Sequence, residues 1–217
     1  MYKLTKATVA NAVKADNRAS FITEKFVGGG IFTRAEKLHS ERTGAHGIGF
    51  DFKSHDGAKA SFSVWTHNDA GAQWSGFDLV MAIMTVLNVF ELKPKNYVSN
   101  VWDREAKENA DVELTQYVEL IGVDVGVLIR MVEEARQDGD GTYWKAELNG
   151  VYRTADDLTA SEIIAKKAVP ERLEQLVAAL KDKPMKKGGA TTRGATGGGR
   201  GAPAGGGGAF PDDDIPF

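Results

Sequence analysis

Hydrophobic and polar residues alternate in two neighbouring runs, Ile48, Phe50 and Phe52, then Phe62, Val64 and Thr66. A period of two belongs to a strand with one buried face. The pattern therefore predicts two strands with Ile48, Phe50, Phe52, Phe62 and Val64 towards a core and Asp51, Lys53, Ser61, Ser63, Trp65 and His67 on the opposite face. Ser54-His55-Asp56-Gly57 separates them, and Asp-Gly supplies the positive φ that a tight hairpin needs. Upstream, the sequence predicts a strand over Ile31 to His39, followed by a loop over Glu41 to Gly44.

Downstream the period changes. Phe77 to Leu87 is apolar on most sides, as in a short helix packed against the end of a sheet. Residues 88–124 lack a clear period. Pro94 and the charged stretch from Asp103 to Glu113 predict a surface excursion, then a short element around Val112 to Leu120. Strand patterning returns over Val125 to Glu133 and Tyr143 to Tyr152, joined at Asp138-Gly139-Asp140-Gly141. Three strands, a helix and two more strands is the chain order of a mainly β OB-fold, a five-stranded Greek-key barrel that accepts extended nucleic acid across its face. A C-terminal helical appendix follows. Thr159-Ala160-Ser161-Glu162 reads as a helix-capping sequence, and Pro170 opens a segment with Leu173, Leu176, Val177 and Leu180 on one side. That segment is suited to packing on the barrel or to self-association.

Beyond residue 183 the composition shifts. Residues 184–209 are expected to form a flexible linker dominated from Lys186 by Gly, Ala, Thr and Arg, and residues 210–217 an acidic tip. The expected organisation is one domain over 1–183, a tether and a disordered tail. The net charge of −3 over 217 residues conceals this asymmetry. A near-neutral body argues for a local basic groove, if nucleic acid is bound at all, and against coating duplex by bulk charge. The chain has no cysteine, which rules out disulfides and thiolate metal sites and suits a reducing compartment. Its first residues lack the apolar run of a signal peptide, and no segment approaches the ~20 apolar residues of a membrane span. The expectation is a soluble, cytoplasmic protein.

The chain ends in Phe210-Pro211-Asp212-Asp213-Asp214-Ile215-Pro216-Phe217. A solvated end explains the aspartates but not the apolar Ile-Pro-Phe. This ending, behind a Gly-rich linker, resembles the tail of bacterial single-stranded DNA-binding proteins. The body, with Phe32-Thr33-Arg34-Ala35-Glu36-Lys37-Leu38, Trp65-Thr66-His67-Asn68 and Gly76 to Met84, resembles the diverged single-stranded DNA-binding proteins of bacteriophages. The resemblance implies that Phe217 enters an apolar pocket on a partner while its carboxylate meets a basic side chain. Asp212, Asp213 and Asp214 would lie along a basic rim, with Ile215 and Pro216 completing the bound peptide. Implied partners are single-stranded DNA and host or phage enzymes of replication, recombination and repair, met in the host cytoplasm. The linker gives the tip an r.m.s. reach on the order of 28 Å.

A general single-strand binder needs aromatic faces for stacking and Lys or Arg along a groove. Trp65, outward-facing between Ser63 and His67, is the first aromatic candidate, with burial beneath a loop or the appendix as its alternative. Trp74, in a loop beside Gly71 and Gly76, is the second, or else a plug at the barrel end. Tyr143 and Trp144 point oppositely on the last strand, so one is expected to stack and the other to be core. The candidate cations are Arg34, Lys37, Arg42, Lys53, Lys59, Arg130 and Lys145, each in or beside a strand or hairpin loop. His39, His46, His55 and His67 have no helical pairing that favours a metal. Asp138, Asp140, Gly141 and Glu147 match calcium-loop positions, but the first ligand would be Arg136, so a hairpin turn is the better reading. No nucleophile constellation stands out; neither a cofactor nor catalysis is expected.

Overall fold

The computed structural model describes residues 20–103, 108–136 and 141–185. The two alternating runs form β2, His46–Ser54, and β3, Lys59–His67, paired antiparallel through a hairpin in which Gly57 has φ +87°. All five predicted inward residues are buried. Phe32 from β1, Phe26–His39, joins them, and its ring lies 4.7 Å from Phe50, 6.1 Å from Phe52 and 6.4 Å from Phe62. Burying each such ring contributes roughly 1.5–3 kcal/mol, which makes this aromatic cluster the centre of the core.

The first strand starts five residues before the position expected from sequence, because Gly28-Gly29-Gly30 lies within β1 rather than before it. The glycines permit close approach of two neighbours. Residues Gly30 and Ile31 pair on one side with β2 and on the other with β6, Asp124–Ala135. A Cβ at Gly30 would stand 2.3 Å from the Lys53 carbonyl oxygen. Beyond Ile31, β1 leaves β6 and stays with β2, shifting register at a bulge between Phe32 and Arg34.

The remaining elements are α1, Ser75–Val86; β4, Lys95–Asp103; β5, Glu108–Gln116; a 3-10 turn, Val118–Leu120; β7, Thr142–Tyr152; α2, Ala160–Ile164; and α3, Arg172–Ala179. Helix α1 buries Val80, Ile83 and Val86 against the core and contacts β3 and β7. The protein is mainly β, with its described strands in one antiparallel sheet. The order runs β3-β2-β1-β5-β4, with β6 also on β1 and β7 on β6. Strand β7 returns beside β3 without a hydrogen-bonded ladder to it.

Two strands, β4 and β5, correct the expected count of five. The surface excursion of 88–124 is a β-hairpin, and the element expected from Val112 to Leu120 is the end of β5 followed by the 3-10 turn. No alternation announced it because, among its described side chains, exposed residues lie at consecutive positions, 95–98 and 111–113, and so on both faces. The hairpin joins the sheet at one register position, Glu36 with Gln116, and through the Tyr117 amide to the Ala35 carbonyl. Gln116 is fully buried at this junction: its carbonyl accepts from the Ala35 amide at 3.3 Å and its amide donates to Ser99 Oγ at 2.5 Å.

The appendix packs on the sheet. Leu173 and Leu176 of α3 cover Leu128, Tyr152 and Leu180. Glu162 binds both helical termini: one carboxylate oxygen accepts from the Thr159 amide and hydroxyl, the other from the Glu171 and Arg172 amides, all at 2.7–2.9 Å. These bonds, that from the Glu171 amide foremost, lower its pKa from the usual 4.5 to about 2. The chain then runs along β6, with Lys183 exchanging backbone bonds with Met131 and Glu133 and the Met185 amide donating to Glu133 Oε2. Pro184 and Met185, the first residues of the expected linker, therefore lie against the sheet; residues 186–217 lie outside the described residues. No described helix is long and apolar enough to cross a membrane.

Candidate nucleic-acid interface

Cross-strand register arranges the outer face of β1, β2 and β3 into rows. At one end Lys59, Lys53 and Ile31 lie side by side, extended by Phe21, which bridges to Lys59. The next row is Ser61, Asp51 and Arg34; then Ser63, Gly49 and Glu36; at the far end Trp65, Gly47 and Leu38. From Lys59 to Trp65 the face spans roughly 20 Å at about 3.3 Å per residue, long enough for a few nucleotides.

Trp65 is half-buried rather than fully outward. A Cβ at Gly47 would meet its ring atom Cε3 at 3.0 Å, and one at Gly49 would meet Leu38 at 3.2 Å. The two bare glycines thus let Trp65 and Leu38 settle over β2. Phe21 is 66 % exposed beside Lys59, with Lys53 one strand further on. Both lysines are exposed and make no ion pair among the described residues. Sequence reasoning missed Phe21; its only signal is an apolar residue one position before the buried Ile22.

The middle of the face differs electrostatically. Arg34 donates from Nε and Nη2 to the two carboxylate oxygens of Asp51 at 2.8 and 3.0 Å, and from Nη1 to Glu36 at 2.5 Å. Ser61 Oγ donates to the same Asp51 at 2.6 Å. Burial pulls the Arg34 pKa down, but the hydrogen bonds and charges of Asp51 and Glu36 outweigh it and raise the pKa. Two carboxylates on one guanidinium leave little positive field for a phosphate. A strand crossing this face would therefore meet lysines at one end and an apolar, aromatic surface at the other.

The other candidates lie apart. Lys37 is exposed and without an ion pair among the described residues, and Arg42 is exposed in the turn between β1 and β2. Trp74 is half-buried at the N-cap of α1, its amide donating to Thr66 at 2.8 Å. On the β6–β7 hairpin, Arg130 pairs with Glu147 and Lys145 with Glu134. Tyr143 and Trp144 are both exposed, at 42 and 46 %, which corrects the expectation that one is core. Both sides of β7 meet water at these two positions, and the Tyr143 hydroxyl donates to Glu134 Oε2 at 2.9 Å. Glu147, a position of the discounted calcium loop, is thus the partner of Arg130, and the flanks of that loop are strands. Among the described residues no three His, Asp or Glu side chains are grouped to hold a metal ion. Asp212 to Phe217 lie outside the described residues. No protein-family model matches the chain, and no curated protein matches it.

Proposed function

We propose that this is a non-catalytic single-stranded DNA-binding protein of phage type with an OB-fold core. It coats strands exposed during replication, recombination or repair and recruits enzymes through Asp212 to Phe217. The strand circuit supports the fold assignment: β1, β2 and β3 form a meander, α1 follows β3, and β6 and β7 return between β1 and β3. In this reading β4 and β5 are an insertion between the helix and the fourth barrel strand. The observation that carries the binding role is the outer face of β1–β3, with Phe21, Lys59 and Lys53 at one end and Trp65 at the other. Aromatics stack on bases without reading them, and unpaired lysines meet the backbone.

The neutralisation of Arg34, Arg130 and Lys145 by carboxylates favours a second reading, an adaptor that works through the tail alone. Titration of tryptophan fluorescence with oligo(dT), against a duplex control at two salt concentrations, separates the two. Single-strand binding predicts quenching that salt weakens, and a Trp65→Ala variant that binds about 5- to 150-fold more weakly, the equivalent of one lost stack. Lys53→Glu with Lys59→Glu should weaken binding and flatten its salt dependence. Neither quenching nor a gel shift by the intact chain would remove the DNA-binding role and leave the adaptor.

A further inference from the structure

Strand β4 ends one side of the described sheet. It pairs with β5 in unbroken register from Lys95 opposite Gln116 to Asp103 opposite Glu108, and with no other strand among the described residues. Its second edge is a row of backbone donors and acceptors without a ladder to any described residue, the arrangement that templates pairing with another chain. Sheets ordinarily blunt such an edge with proline, bulges or repeated lysine; between Asn96 and Trp102 this strand has neither a proline nor a charge, and its register has no bulge. The hairpin also exposes apolar surface. Tyr97 is 54 %, Val98 60 % and Val112 39 % exposed. A two-stranded hairpin standing off its sheet is marginal in water unless something covers it.

We infer that β4 pairs antiparallel with β4 of a second copy of this chain, about a two-fold axis at Ser99, forming a four-stranded sheet across the dimer. The charge pattern selects this occupant and this direction. The strand begins with Lys95 and ends with Asp103, equally distant from Ser99. Antiparallel pairing sets each Lys95 opposite the other copy's Asp103, whereas parallel in-register pairing would set like charges together at both ends. Lys95 has only a loose contact of 3.7 Å with Glu119, and its side chain is 59 % exposed, which leaves it able to reach across. A two-fold interface is self-complementary by construction, so one strand supplies both halves. The inference concerns a different surface from the β1–β3 face and holds whether or not that face binds DNA.

Sedimentation of the full chain over a concentration series tests it. The expected result is a monomer–dimer equilibrium that Lys95→Asp weakens about tenfold or more, Asp103→Lys weakens similarly, and the double charge swap restores. Because the chain has no cysteine, Ser99→Cys gives a direct geometric readout. Under mild oxidation it should form a disulfide-linked dimer, while Asp78→Cys on α1 should not. A monomer at every concentration, a dimer indifferent to both single charge reversals, or a double swap no better than either single one would overturn the pairing. Restoration by the swap also excludes misfolding as the cause of the single-variant losses.

Discussion

Replacing Gln116 with leucine tests how the β4–β5 hairpin is held. Gln116 has no exposed surface, and its carboxamide is the acceptor for the Ala35 amide just past the β1 bulge and the donor to Ser99. Leucine fills a similar volume but leaves the Ala35 N–H buried without that acceptor, at a cost of about 1–3 kcal/mol. The Ser99 hydroxyl, half-buried, can turn to water, so little is added there. At about 2–4 °C per kcal/mol for a domain of this size, the melting temperature should fall by about 2–12 °C. Hydrogen exchange gives the location: amides of β5 and Ala35 should lose protection, while those paired between β6 and β7 keep theirs at temperatures well below the transition. A leucine variant that melts with the parent and keeps its hairpin amides protected would refute the claim that this buried amide ties the hairpin to β1.

Two further outcomes follow from the structure. Glu162→Gln should lower the melting temperature at neutral pH, because four donors face the carboxylate. A carboxyl whose pKa is lower folded than unfolded stabilises above the unfolded value and loses that contribution as pH falls through the folded one. The gap between parent and variant should therefore be constant above pH 5 and close between 4.5 and about 2; a pH-independent gap in thermal melts would contradict the capping role. Gly30→Ala would place a methyl 2.3 Å from the Lys53 oxygen and 2.7 Å from both Phe52 Cζ and Ser54 Cα. With neighbours on both sides the strand has nowhere to move, so urea unfolding should show a loss of at least about 1–3 kcal/mol; equal midpoints would mean that β1 and β2 are less closely apposed.

Sequence was most legible where one face is dry and the other wet. Ile48 to Phe52 and Phe62 to Val64 alternate because β2 and β3 are half-buried, and Asp56-Gly57 and Thr159 to Glu162 carry local geometry in their own side chains. It was least legible where that contrast fails. Among the described side chains, consecutive positions of the β4–β5 hairpin and the pair Tyr143 and Trp144 on β7 meet water, so neither the strands at 95–116 nor that joint exposure left a periodic trace. The three glycines of β1 resemble a break but mark where two strands crowd a third. At the candidate interface, residue type was readable and charge pairing was not. Arg34 is neutralised by Asp51, seventeen positions away in sequence, and such a partner is visible only once the register is known. Phe21 escaped notice for the same reason, since its place beside Lys59 comes from a bridge outside the main strands.

The segment from Leu180 to Met185 joins the body to everything C-terminal of it, and its attachment has a mechanical direction. Val132 and Lys183 lie in parallel register, so the chain departs along β6 rather than away from it. Tension drawn along β6 loads the Lys183 backbone bonds and the Met185–Glu133 bond together, in shear. Tension drawn outward peels them in turn, beginning at Met185, and next pulls Leu180 from its place against Leu128 and Tyr152. The joint is thus stiff to one direction of pull and yielding to the other, so the angle at which the C-terminal segment is drawn would decide whether force reaches the sheet or is spent unfastening the strap.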